Sequence, residues 1–175
     1  MVIDKLAEHF KTESFEFEDN YLYAVSEYKE KQVVLMKPLT YMNASGKAVK
    51  EFYDKYEVSA ENMLVVYDDV NIDFGILRLR PGGSDGGQNG IRSIIYEMET
   101  DEIPRLRVGI RNEEDFERNR SLGEYSLADF VLSGFTNKED EHLEKVIEAA
   151  KDAVLSFITA GTPETMNLYN RNVLE

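Results

Sequence analysis

The sequence contains no cysteine, and only two histidines and four prolines in 175 residues. Without cysteine, disulfides, thiolate nucleophiles and sulfur-ligated zinc or iron are excluded together. A nucleophilic triad needs an activating base, and only His9 and His142 are available. Both lie beside, not on, the apolar stripes of predicted helices, the ordinary place for a solvated surface histidine. No apolar run approaches the roughly 20 residues that cross a bilayer, and the start shows no basic segment followed by an apolar core and cleavage site. A soluble, cytoplasmic protein with no membrane partner is expected, and the acceptor sequons at Asn43 and Asn119 are read as chance. No arginine precedes Arg78, and eight of the nine fall between Arg78 and Arg120.

What is present fits one globular domain over residues 1–175: 42% of the residues are hydrophobic and 31% charged, too apolar for a disordered tail. The net charge of −14 is hostile to nucleic acid at long range. The clustered arginines change that reading, because a negative total can hide a positive face. The alternative is that they pair with neighbouring carboxylates.

Val2, Ile3, Leu6, Ala7 and Phe10 at helical spacing predict an amphipathic helix beginning at the first residue, with nothing to cap it. Ser14 to Glu18 and Leu22 to Tyr28 alternate around Asp19-Asn20 and predict an antiparallel hairpin. A short buried strand, Val33 to Met36, follows. Ala48, Val49, Phe52, Tyr53 and Tyr56 share one face of a helix over 43–56, which Ser45 or Asn43 could cap. Met63 to Tyr67 reads as a strand covered on both faces and ending on Asp68 and Asp69. Ile76 to Arg80 and Arg105 to Ile110 alternate apolar and basic residues, which predicts strands with one wet, positive face. Between them, a glycine-rich loop from Gly82 leads into a helix with Ile91, Ile94, Ile95 and Met98 inward. Glu113 to Arg120 reads as a charged, mobile loop. Lys138 to Ala160 is a long helix stopped by Gly161, and a short last helix starts near Pro163. The fold class predicted is α/β, a mixed twisted sheet flanked by helices in a single domain.

The Gly82 to Gly90 loop is the strongest local feature, since glycines admit close backbone approach and helix N-terminal amides attract anions. It is neither a Walker loop nor a dinucleotide fingerprint, and a plain connection remains the ordinary alternative. Asp68 and Asp69 could polarise a base, bind a hard cation or terminate their strand, and for Asp68 alone termination is the ordinary reading. A metal site would want more converging oxygens than Asp73 supplies, so no metal and no cofactor is expected. Asn43 and Asn89 sit at helix starts, where asparagine is an ordinary cap, and each also carries the donor and acceptor that hold an ester or a ribose.

Several segments together resemble the bacterial peptidyl-tRNA hydrolase family: Lys37-Pro38-Leu39-Thr40-Tyr41-Met42-Asn43-Ala44-Ser45-Gly46, Val65-Val66-Tyr67-Asp68-Asp69, and Arg78-Leu79-Arg80-Pro81-Gly82-Gly83 running on through Gly86-Gly87-Gln88-Asn89-Gly90. Weaker matches occur at Pro104 to Ile110, Asp129 to Ser133 and Met166 to Asn170, in family order along the whole chain. The resemblance implies an enzyme that hydrolyses the ester between a peptide and the 3′ ribose of tRNA, recycling tRNA in translation and ribosome rescue, without a metal. It implies a monomer that needs no protein partner, with peptidyl-tRNA as its ligand. By motif position, Asp68 takes the role of the aspartate that orients a histidine base, while Asn43 and Asn89 place the substrate and stabilise the oxyanion. Tyr41 lines the groove for the peptide or terminal adenosine, and Gln88 adds a substrate contact. Arg78, Arg80, Arg105 and Arg107 mark a tRNA-binding region.

The chain departs from that pattern. The family's opening strand, its Gly-Asn-Pro-Gly loop and its Arg-His-Asn segment with the catalytic histidine are absent, and Gln88 stands where the family usually has histidine. The expectation is an N-terminally truncated hydrolase with Met1 a misplaced start, impaired for lack of its base. The alternatives are a tRNA-binding relative without catalysis and a short hydrolase that uses another base.

Overall fold

The computed structural model describes residues 1–12, 14–112 and 137–175, the first four of the last stretch by backbone alone. The expected loop at 113–120 and the weak match at 129–133 lie outside the described residues. The chain traces two compact units, Met1–Val65 with Arg80–Pro104, and Val66–Leu79 with Arg105–Glu175.

In the first unit, helix α1 (Val2–Phe10) buries Leu6 and Ala7 and closes on Lys11, which takes the left-handed conformation. Three antiparallel strands follow in the order β1 (Glu16–Phe17), β2 (Tyr21–Tyr28) and β3 (Lys31–Pro38). The Asp19-Asn20 turn stands where the sequence puts it. The strand expected over 33–36 is twice as long, because β2 and β3 pair all the way from Tyr21↔Pro38 to Tyr28↔Lys31. Lys29 and Glu30 close this second hairpin with φ of 48° and 63°. Such a tight turn needs positive φ at both positions and normally draws Asn or Gly. Of the expected buried strand only Leu35 is buried.

Strand alternation gives this sheet two faces. Tyr21, Tyr23, Val34 and Met36 lie on the one that meets Ala48 and Phe52 of helix α2 (Ser45–Tyr56), with the Tyr21 and Phe52 rings edge-on at 5.7 Å. Ala24 and Leu35, also buried, lie on the other face, where the Lys37 ammonium pairs with Asp4 of α1. That contact and the chain-terminal ammonium hold the Asp4 carboxyl down at about 2. The sheet is thus clasped between two amphipathic helices.

Helix α2 is preceded by a single 3-10 turn, Met42–Ala44, and lies against helix α3 (Asn89–Met98). Val49, Ile94 and Ile103 form the core between them. The approach is set by Gly46, where a Cβ would stand 2.1 Å from the Ser93 carbonyl oxygen. The Gly46 N–H donates to the Ser93 hydroxyl at 3.0 Å.

In the second unit, β4 (Val65–Asp73), β5 (Leu77–Arg80) and β6 (Arg105–Arg111) form a second three-stranded sheet, ordered β4-β6-β5. The α/β class with flanking helices is as expected, but the strands divide into two sheets where the sequence suggested one. The edge of β5 is covered by the chain's last residues. The Leu77 N–H donates to the Arg171 carbonyl at 3.0 Å and the Val173 N–H to that of Gly75 at 2.8 Å. The Asn170 side chain grips Leu79 at both backbone groups, accepting its N–H at 2.5 Å and donating to its carbonyl at 3.1 Å. Helix α4 (Asn137–Tyr169) breaks at Gly161, with φ 77°, where a stop is expected. Buried Thr165 in the next turn donates its hydroxyl to the Gly161 carbonyl, which fixes the corner.

Replacing Gly46 by Ala should force α2 off the Ser93 backbone, which cannot yield as a side-chain tip would, and lower stability by about 1–3 kcal/mol. Thermal unfolding of Gly46→Ala beside Lys47→Ala, an exposed neighbour, checks this. The first should melt lower and the second near wild type.

Candidate functional site

The expected strand end at Asp68 and Asp69 is not an end, since β4 continues to Asp73. The two aspartates therefore sit mid-strand and point to opposite faces. Asp69 is buried at 1% exposure and accepts the Arg107 Nε–H at 2.7 Å and the Asn71 N–H at 2.8 Å. Asp68 is half-buried, on the face of β4 shared with Val66 and Val70. The stretch Met63 to Tyr67, read as doubly covered, is half-buried throughout.

The four arginines of the expected tRNA-binding region separate by environment. Leu77 and Leu79 are buried while Arg78 is half-buried and Arg80 exposed, as the alternation predicts. Along β6 the alternation fails: Arg105 is 4% exposed and not on a wet face. Burial pushes the Tyr67 phenol up, and the Arg107 and Arg105 guanidinium groups pull against it. Arg105 is thus a buried neighbour of Tyr67, and Arg107 is the counter-ion of buried Asp69. The pairing alternative holds for Arg107 with Asp69 and for Arg111 with Asp73.

The asparagine-bearing turns come together. Gly90, in the first turn of α3, lies against Met42, whose Cγ would be 3.3 Å from a Cβ at position 90 and whose carbonyl oxygen 3.5 Å away. The 3-10 turn that carries Asn43 is therefore seated on the helix start that carries Asn89. Neither asparagine serves as a cap. The N-cap positions are Ala44 for α2 and Gln88 for α3, without side-chain cap hydrogen bonds, and the Ser45 hydroxyl donates to the Met42 carbonyl instead. Both asparagines are exposed and Gln88 is half-buried. Tyr41 is 88% exposed, and Leu39 and Met42 beside it are also open to solvent, an apolar lip next to the two amides.

The glycine-rich loop uses its freedom at Gly83, Gly86 and Gly87, with φ of 125°, 59° and 84°. Its anion is already built in: the Asp85 carboxylate accepts the Gly87 N–H at 2.7 Å, and this bond holds the carboxyl below its usual range. Arg92 stands 3.6 Å from the same carboxylate. A second anion would meet Asp85 first, so the loop shapes the approach to Asn89 more than it binds phosphate.

His9 is exposed, its ring edge-on to Phe10 and Tyr28, and His142 is exposed on α4. Neither has a carboxylate partner among the described residues. Among those residues no group of three acidic or histidine side chains is placed to hold a metal ion, and no helix is long and apolar enough to cross a membrane.

An α/β frame here brings two amide-bearing turns together, offering paired hydrogen-bond donors and acceptors at one place. The peptidyl-tRNA hydrolase family model matches residues 1–175, and the chain belongs to that family. A peptidyl-tRNA hydrolase of Chlorobium phaeobacteroides is 40% identical over 99% of this chain and 87% of its own length. One from Caldicellulosiruptor bescii is 36% identical over the same shares. The crystal structure of peptidyl-tRNA hydrolase from Acinetobacter baumannii superposes with a TM-score of 0.84 at 26% identity, covering 98% of this chain and 84% of that one.

The sequence reading treated Asp68 and Asp69 alike, and the signal that separates them was available: in a strand that runs past it, Asp69 shares a face with Tyr67, opposite Asp68. Arg107→Ala should cost about 3 kcal/mol, the lower end for a broken buried pair, because Arg107 is 27% exposed and Asp69 keeps the Asn71 N–H. Asp69→Asn, which removes the charge and keeps the shape, should cost less. Equal denaturation midpoints for Arg107→Ala and wild type would contradict the assignment.

Proposed function

We propose that the chain hydrolyses the ester between a peptide and the 3′ ribose of tRNA. The observation that carries this reading is the seating of the Asn43 turn on the α3 start beside Asn89, in a chain that matches the family from end to end. Two amides at one place can hold an ester carbonyl and a ribose hydroxyl at once. An amide N–H is worth most on the oxygen where charge develops in the transition state. Tyr41 and its apolar neighbours offer a surface to the peptide or the terminal adenosine, and Gln88 adds a hydrogen-bonding group that does not titrate. By its motif position Asp68 is the carboxylate that would orient a histidine base. Arg80 and Arg78 meet tRNA phosphates, while Arg105 and Arg107 keep their structural tasks.

Water activation is the weak step. Among the described residues neither His9 nor His142 stands with a carboxylate in the arrangement that makes a base. General-base catalysis contributes roughly 10²–10⁴ in rate. Release of peptide from an N-acetylaminoacyl-tRNA by the purified chain should therefore be measurable but slower than that of its relatives by about that factor. Replacing Asn43 and Asn89 together by Ala should abolish it. No release at all, with tRNA still bound, would contradict the hydrolase reading in favour of a tRNA-binding module; turnover at the relatives' rate would contradict the missing-base argument.

A further inference from the structure

Helix α3 spends two of its faces on the fold. Ile91 and Ile94 are buried in the core, and Ser93 faces Gly46 of α2. The third face, one helical stripe through Asn89, Arg92 and Tyr96, is exposed. Tyr96 is 79% exposed and the Arg92 side chain 60% exposed. A tyrosine at such a position does little for stability: it buries almost nothing and is a poorer helix former than the charged residues that usually occupy solvent-facing sites. Among the described residues Arg92 is held by the 3.6 Å contact with Asp85, an ion pair at the surface of the kind that exchanges readily for another anion.

We propose that this stripe is a contact strip for one unpaired ribonucleotide of the substrate, with its base stacked on the Tyr96 ring and its phosphate on the Arg92 guanidinium. The proposal rests on the reading of the chain as acting on peptidyl-tRNA and extends the asparagine site along α3. The chemistry that favours this occupant is the pairing of ring and cation one helical turn apart, about 6 Å along the axis. Unpaired bases stack on exposed aromatic side chains and leave their phosphates to nearby cations, whereas paired bases have no free face to offer. Charge limits the strip to one nucleotide. Glu99 closes α3 in the left-handed conformation, and its exposed carboxylate repels a second phosphate beyond Tyr96. Asp85 at the other end competes with the first phosphate for Arg92.

The test is binding of a fluorescein-labelled single-stranded hexaribonucleotide to the full chain, followed by anisotropy. Tyr96→Ala should weaken binding about tenfold, the loss expected when one base–aromatic stack is removed, and Tyr96→Phe should restore it. Arg92→Ala should weaken binding and reduce the slope of log affinity against log salt by about 0.7, one single-strand phosphate contact. The same sequence as a blunt duplex should bind without regard to Tyr96. Because Tyr96 buries so little, Tyr96→Ala should melt as the wild type does, so a lost stack is not confused with a lost fold. Equal affinity of Tyr96→Ala and wild type, a Phe variant as weak as the Ala variant, or no binding of the hexamer at millimolar concentration would each overturn the proposal. Binding that depends on Tyr96 in a chain that releases no peptide supports the strip and removes the hydrolase reading alone. Peptide release together with binding indifferent to Tyr96 removes the strip alone.

Discussion

The candidate site depends on one close contact, the seating of Gly46 on the backbone of Ser93. With no side chain at position 46, α2 comes down until its first turn touches the carbonyl of α3, and the Ser93 hydroxyl accepts the N–H that the helix start leaves over. That approach brings the preceding turn against Gly90 and so sets Asn43 beside the helix start that bears Asn89. A methyl group at position 46 would act on packing and site together. The polar work of the site is thus positioned by two residues that have no side chain at all.

Charge follows the same logic of local use. A chain of net charge −14 keeps all its arginines from Arg78 onward, and the strands sort them. Arg105 and Arg107 are drawn inward, where Asp69 is buried and needs a counter-ion; Arg80 is left at the surface, and Arg92 stands beside Asp85 at the loop. Regional clustering of cations is therefore a weaker sign of a nucleic-acid surface than it looks. What matters is which of them the β period places outward.

Most of the architecture was legible because its signals are local. The spacing of Leu6 and Ala7, the Asp19-Asn20 turn, the face of Ala48, Val49 and Phe52, and the Gly161 stop all act within a few residues. What escaped depends on partners distant in sequence. Lys29 and Glu30 carry no turn signal, yet the pairing of β2 with β3 forces both into positive φ. Asp69 looks like a strand terminus until β4 is seen to continue past it. The grip of Asn170 on Leu79 joins positions 91 apart in sequence. For the site, motif resemblance supplied Asn43, Asn89 and Asp68, but only the packing of Met42 on Gly90 shows that the first two adjoin, and only burial separates Arg105 from Arg80.

The central claim is that the two asparagines act as one site because the helix contact joins their turns. A double-mutant cycle of Asn43→Ala and Asn89→Ala, read as the affinity for a non-hydrolysable amide-linked peptidyl-tRNA analogue, measures this directly. The account predicts that the two losses are not independent, with a coupling of about 0.5 kcal/mol or more. Losses that add within error would contradict it.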